Sequence, residues 1–236
     1  MAYNFLGLVN QVNRRLNEVA LSSTNFDTAT GFYAHAKDAV NSSIRDINQT
    51  QYNFPFNHVE QEDIASTNVM RYDFPQDLKT ISMDSFRIKE SSTLGVSTKK
   101  LKQLSYEEYL DKYIHLEYNT DKTGVPDFVF RTPDLQYGLV PMPNKDYTLI
   151  YEYFTFPADL EQHDDVPSIP ERFAHVIVNG AMFYAYLFRG NTQDSVVAKE
   201  KFEEGLKSMR SLLVNRYDYV RSYAINRNVS ASNMLS

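Results

Sequence analysis

The spacing of apolar residues predicts an α+β chain. Its expected form is a four-helix-type bundle, an N-terminal helical hairpin plus two C-terminal helices, with an inserted small antiparallel β unit and an extended C-terminal tail. Three observations carry this reading. Apolar residues recur at helical spacing towards both ends of the chain. The middle is cut into short extended segments by proline and glycine. Between the two lies Asp164–Arg189, a stretch with apolar residues on nearly every helical face. A helix of that kind has to be enclosed by protein or lipid. Arg172, His175, Asn179 and Arg189 interrupt it well short of the roughly 20 apolar residues a bilayer span needs, so enclosure by protein is expected. The expected divisions are residues 1–69 with 158–215 for the bundle, 70–157 for the β unit and 216–236 for the tail.

Taken in order, residues 4–20 place Phe5, Leu8, Val12, Leu16 and Val19 on one helical face, with Asn4 as N-cap and Arg14 and Arg15 towards solvent. The polar run Ser22-Ser23-Thr24-Asn25 breaks the pattern. A second helix, from about Phe26 to Gln51, carries Phe32, Ala36, Val40 (or Ala39), Ser43 and Ile47 along one side. It would extend roughly 39 Å at about 1.5 Å per residue. Pro55 forces Phe54 out of the α region and closes the hairpin. His58–Val69 is polar and reads as a surface turn of helix or a loop.

From Arg71 the texture becomes extended, with segments at 80–86, 127–130, 135–141 and 146–156. In the last of these Tyr147, Leu149, Tyr151 and Tyr153 alternate with Thr148, Ile150, Glu152 and Phe154, which predicts a strand covered at least partly on both faces. Gly124-x-Pro126, Thr132-Pro133, Gly138 and Pro141-x-Pro143-Asn144 mark turns. Ser105 and Glu108 form a capping box for a short helix over 105–115.

Ser168 and Glu171 predict a second capping box, with Pro170 in the first helical turn and Asp164 and Asp165 suited to the positive helix end. Gly190 predicts the C-cap. A last helix from Gln193 to about Arg216 carries Val196/Val197, Phe202, Leu206, Met209 and Leu213 on one face and charges on the other.

Beyond that helix Arg216, Tyr217, Tyr219, Arg221, Tyr223 and Arg227 interleave aromatic and basic side chains. Such residues are enriched in interface cores, and disordered tails ordinarily lack aromatics. The net charge of −6 is uneven. Residues from Lys207 on carry five bases and one acid, for +4, which leaves −10 on the first 206. An acidic body with a basic tail suggests that the tail docks on something the body does not; the bland alternative is a scatter of charges without a role.

The chain has no cysteine, which excludes disulfides and thiolate metal sites. Met1-Ala2-Tyr3-Asn4-Phe5 lacks the basic and apolar regions of a signal peptide, so synthesis in a cytoplasm is expected. No phosphate-binding glycine loop, zinc-protease helix, nucleophile elbow or EF-hand loop is present. His163, Asp164 and Asp165 could hold a metal, but read more simply as capping partners. His175 reads as a hydrogen-bonded core or interface histidine, and Glu107-Glu108 and Glu203-Glu204 as solvated helix faces. No catalytic, cofactor or metal residue is assigned, and the expectation is a protein that is not an enzyme. A pI near 5.4 lacks the overall basic footprint of a nucleic-acid binder.

The order of these parts resembles the head-to-tail adaptor (tail tubular A-type) proteins of short-tailed bacteriophages. The resemblance rests on the hairpin closed by Tyr52-Asn53-Phe54-Pro55-Phe56 and the β unit with its Gly124-x-Pro126 and Pro141-x-Pro143 turns. It rests also on the DYTLIYEYFTFPADL strand, the Asp165-Val166-Pro167-Ser168-Ile169-Pro170 lead into an apolar helix, and the aromatic, basic tail. It covers about residues 5–220. It implies a virion protein of the neck, a ring of twelve copies that joins the portal protein to the tail nozzle and continues the channel for double-stranded DNA. The helical part would contact the portal and the β unit would face the tail. Arg216, Tyr217, Tyr219, Arg221, Tyr223 and Arg227 would then form the portal-binding tail. Two other readings stand beside it. A virion enzyme that processes cell walls needs a carboxylate pair in a cleft, which the sequence does not display. A non-viral helical scaffold with an inserted β domain needs no such pair.

Overall fold

The computed structural model describes residues 2–92, 95–119 and 121–213. In chain order these form α1 (Phe5–Arg15), α2 (Phe32–Gln49), β1 (His58–Ala65), β2 (Arg71–Asp73), β3 (Leu78–Ile81), β4 (Arg87–Ser92), β5 (Gly95–Lys100) and β6 (Lys102–Leu104). The chain continues through α3 (Tyr106–Lys112), α4 (Ile114–Glu117), β7 (Phe128–Arg131), β8 (Gln136–Val140), β9 (Tyr147–Thr155), α5 (Ala174–Phe188) and α6 (Thr192–Leu213).

This corrects the expected fold class. Among the described residues there are six α-helices and two multi-stranded sheets, which does not fit a four-helix bundle with a small antiparallel insert. One strand pair, β6 with β7, is parallel. The described residues divide into a helical unit, residues 2–56 together with 159–213, and a β-rich unit, Asn57–Ala158. The strands that pattern reading misses are those with one wet face. β1 exposes His58, Glu60, Glu62 and Ile64, while its inward positions include Gln61 and Asp63. Its period of two is therefore carried by polar residues, and a hydrophobic alternation has nothing to register.

In the helical unit, α1 is tied down at its start. The Asn4 side chain accepts from the Gly7 N–H at 2.9 Å, as an N-cap should. The Phe5 and Leu6 N–H groups donate to the carbonyls of Asp165 (2.7 Å) and His163 (3.0 Å). Phe26 packs edge-on against Phe5, and the Lys37 ammonium lies 4.4 Å from the Phe26 ring centroid. α2 starts later than expected because Gly31 adopts φ +62, a left-handed conformation that a helix cannot include. With 18 residues it is roughly 27 Å long rather than 39 Å. The link from α1 is correspondingly long, Leu16 to Gly31.

The lead into α5 also differs from expectation. Pro170 is extended (φ −60, ψ 142) and a 3-10 turn, Glu171–Phe173, precedes the helix, so the N-cap positions are Pro170 for the turn and Phe173 for α5 rather than Ser168. Asp165 is not a charge at a helix start. Its Oδ2 accepts from the Glu161 and Gln162 N–H groups at 2.7 Å each and closes a turn. The Gln162 and then the Glu161 bond hold its carboxyl below the usual carboxylate range. Folding therefore gains from this carboxylate above the pKa of the unfolded chain, about 3.9, and the gain is lost as pH falls through the lower folded value. Asp165→Ala is expected to lower the melting temperature at neutral pH and to have little effect near pH 2; melts at both pH values check this.

α5 ends in a Schellman motif. Gly190 (φ +73) donates to the Leu187 carbonyl and Asn191 to the Tyr186 carbonyl, both at 3.0 Å. Asn191 then caps α6, accepting from the Asp194 N–H at 3.2 Å and donating to its carboxylate at 2.6 Å. α5 packs against α1, α2 and α6 and buries Val176, Ile177, Val178, Ala181, Met182 and Ala185. His175 is exposed, so of its two expected places, core or interface, the core is excluded. On α6 the inward face is Ser195, Ala198, Phe202, Leu206 and Met209. Val196 and Val197 are about half exposed, contrary to expectation, because they fall outside the stripe that Ala198, Phe202 and Met209 set.

The β-rich unit is layered. One sheet has the order β1-β9-β4-β5, with β3 also paired to β9; the other has the order β2-β8-β7-β6. Their facing sides share a core of Phe86, Ile88, Val129, Tyr137, Leu139, Leu149 and Tyr151. Tyr147, Leu149, Tyr151 and Tyr153 of β9 point inward, as the alternation predicts. The second sheet's other side carries α3, whose Tyr109 stacks on Phe130 at 3.9 Å. Gly138 leaves room for that Phe130 ring, which a Cβ would meet at 2.2 Å. Ser105 caps α3 by accepting from the Glu108 N–H at 3.2 Å.

Candidate functional site

Arg216, Tyr217, Tyr219, Arg221, Tyr223 and Arg227 lie outside the described residues. What precedes them is placed. α6 runs to Leu213 with Leu212 exposed, and the Arg210 guanidinium sits 4.0 Å from the Tyr52 ring centroid. The end of the last helix is thus held to the aromatic turn that closes α2.

An open groove of about 560 Å³ in the helical unit is lined by Arg15, Asn179, Met182, Tyr186, Val197 and Lys201, among others. Arg15 donates to Asn179 across it at 2.8 Å. Nearby polar groups are engaged in holding helices together. Arg189 pairs with Glu18 and stacks over Phe32, and Tyr184 donates to Asp46 at 2.6 Å. Burial and then Asp46 push the Tyr184 phenol up to about 12. His35, stacked on Phe188 at 4.1 Å, meets the Tyr184 carbonyl.

Carboxylates of the β-rich unit serve tyrosines in the same way. Tyr151 donates to Asp63 at 2.6 Å, and Tyr153 and Thr155 donate to Asp77. Arg71 donates to Glu117 at 2.9 Å, and Tyr109 donates to the same carboxylate. Burial first, and then Glu117, push the Tyr109 phenol up to about 12, so it remains a neutral donor. These groups are positioned to join elements. Among the described residues no group of three or more His, Cys, Asp or Glu gathers in a way that could hold a metal ion, and His163-Asp164-Asp165 is not such a group. No described helix is long and apolar enough to cross a membrane.

An ordered arrangement of charge lies on the solvent face of the five-stranded sheet. Cross-strand register puts Glu60 opposite Glu152 on β1 and β9, and Arg87 opposite Lys100 on β4 and β5. Glu62, Ile150, Arg87 and Lys100 form one row across the sheet; Ile64, Thr148, Lys89 and Thr98 form the next. One edge of the face is acidic and the other basic. Lys89 bridges part of the gap by meeting Glu62 at 3.0 Å. Sequence reading misses this surface because three of the strands that compose it, β1, β4 and β5, are themselves missed, although β9 is read correctly. The charged alternation in VEQED and RIK is the signal that could have found it.

The chain matches no curated protein. The family model described as SU10 adaptor protein matches residues 3–228. That span takes in both units and all six residues of the candidate tail. The match over nearly the whole chain agrees with the resemblance read from its order of parts: this chain belongs to the SU10 adaptor protein family, a family of phage head-to-tail adaptors.

Proposed function

We propose that copies of this chain form a closed ring, of twelve in the phage neck, that joins the portal protein to the tail nozzle and continues the channel through which double-stranded DNA passes. The observation that carries the reading is the family match across residues 3–228, which includes the aromatic and basic segment beyond α6. Two physical features support it. A charge of −10 on the first 206 residues repels phosphate, so DNA slides past without being held. Arg216, Tyr217, Tyr219, Arg221, Tyr223 and Arg227 supply the side chains that dominate interface energetics, suited to docking on the portal.

Truncation after Val214 tests the assignment. The shortened chain is expected to keep its circular dichroism spectrum and melting temperature and to lose portal binding at least tenfold in a pull-down or by interferometry. Equal binding by the truncated and full chains would remove the tail from the portal contact.

A further inference from the structure

We infer that neighbouring copies of this chain join edge to edge through the five-stranded sheet, β5 of one copy lying antiparallel beside β1 of the next. The inference rests on the ring reading above for its occupant, a second copy, and adds which surfaces meet.

Both strands are edges. Among the described residues β1 pairs only with β9, and β5 only with β4, so each presents a row of backbone donors and acceptors that no described strand pairs. Long edges of this kind are ordinarily blunted or covered. Here they carry opposite charge: Glu60 and Glu62 on β1, Lys100 on β5 with Arg87 beside it on β4. Within one copy the register also sets like charges directly opposite each other, Glu60 against Glu152 and Arg87 against Lys100. Such pairs are unfavourable unless a counter-charge lies near. His58 reaches Glu152 at 3.4 Å and Asp84 reaches Lys100 at only 3.8 Å. The basic edge of a second copy would supply what the acidic pair needs, and the acidic edge what the basic pair needs.

Strand direction agrees. β1, β9, β4 and β5 alternate in direction, because every pairing among them is antiparallel. β1 and β5 therefore run oppositely, and a copy displaced along the sheet brings its β1 antiparallel to β5 with the charged faces on the same side. Like edges are kept apart by the same charges, since β1 on β1 would oppose glutamates and β5 on β5 would oppose lysines. Only the unlike pairing remains, and it is heterologous, the kind that closes into a ring when the rotation from copy to copy closes.

The absence of cysteine makes the test direct. Ile64→Cys on β1 and Thr98→Cys on β5 leave every charge in place, and both positions are exposed. With a short bismaleimide, a mixture of the two single variants should give a cross-linked heterodimer, each alone should give none, and the double variant should give a ladder. Glu60→Lys with Glu62→Lys, or Arg87→Glu with Lys100→Glu, should each cut cross-linking at least tenfold, and all four together should restore it. That restoration also controls for folding. Homodimers from a single variant, absence of heterodimer, or cross-linking indifferent to the reversals would each overturn the inference. Rings that assemble on the portal without these cross-links would leave the ring reading standing and remove the edge contact. Cross-linked chains that no portal captures would do the reverse.

Discussion

Replacing Gly180 with valine is expected to destabilise the helical unit by about 3 kcal/mol, the upper part of the usual range for overpacking a filled core. A Cβ at this position would lie 2.2 Å from the Ser43 hydroxyl and 2.9 Å from Cδ2 of Phe202, so α2 and α6 press on the same point of α5. The Ser43 hydroxyl cannot simply turn away, because it is buried and donates to the Ile177 carbonyl at 2.9 Å. Gly180→Ala isolates the effect. Helix propensity alone would favour alanine by about 1 kcal/mol, yet the contact should reverse the sign and leave a net loss. Urea unfolding of Gly180→Ala, Ser43→Ala and the double variant measures the coupling. The double variant should be more stable than the sum of the two single effects predicts. A stabilised Gly180→Ala would show that the helices separate freely at this point.

Phe86→Ala is expected to cost about 3–5 kcal/mol, the range for removing a fully buried aromatic side chain. Phe86 is fully buried, stacks on Tyr151 at 4.7 Å and packs against Tyr137 at 5.2 Å, so it joins the two sheets of the β-rich unit. Removing it leaves a cavity between layers that Tyr137 and Tyr151 cannot both fill. Tyr151 also loses support for its bond to Asp63. Hydrogen exchange should show faster exchange at amides of β4, β8 and β9, and denaturant unfolding should give the free-energy change. Unchanged protection there would mean that the sheets are held elsewhere.

These two positions differ in how far the sequence announces them. The alternation around Tyr151 marks β9 as a strand, with its inward and outward sets correctly divided. Phe86, in contrast, follows a 3-10 turn (Met83–Ser85) and precedes a strand whose visible face is Arg87 and Lys89, so its burial has no local sign. Gly180 looks like an unremarkable small residue in an apolar helix until two other helices converge on it.

What the sequence by itself determined is whatever depends on neighbours within a turn or two. Asn4 and Ser105 cap their helices, Gly190 ends α5, and Phe5, Leu8, Val12 and Leu16 of the first stripe and the stripe of α2 face inward (Val19 lies beyond α1 and is exposed), because capping bonds and helical periodicity are local. The order of parts likewise sufficed to identify the adaptor family. The tertiary structure decided the rest. It made six helices and two sheets of an expected four-helix design, turned His58–Ala65 into an edge strand, moved Asp165 from helix start to turn closure, and exposed His175. It also gathered Glu60 with Glu152 from strands far apart in the chain, and set Arg87 opposite Lys100 across the consecutive strands β4 and β5. The physical reason is common to all of these. A half-solvated strand carries polar residues on one face and draws its partners from distant sequence, so its hydrogen bonds and its charge pairs exist only once the sheet has assembled.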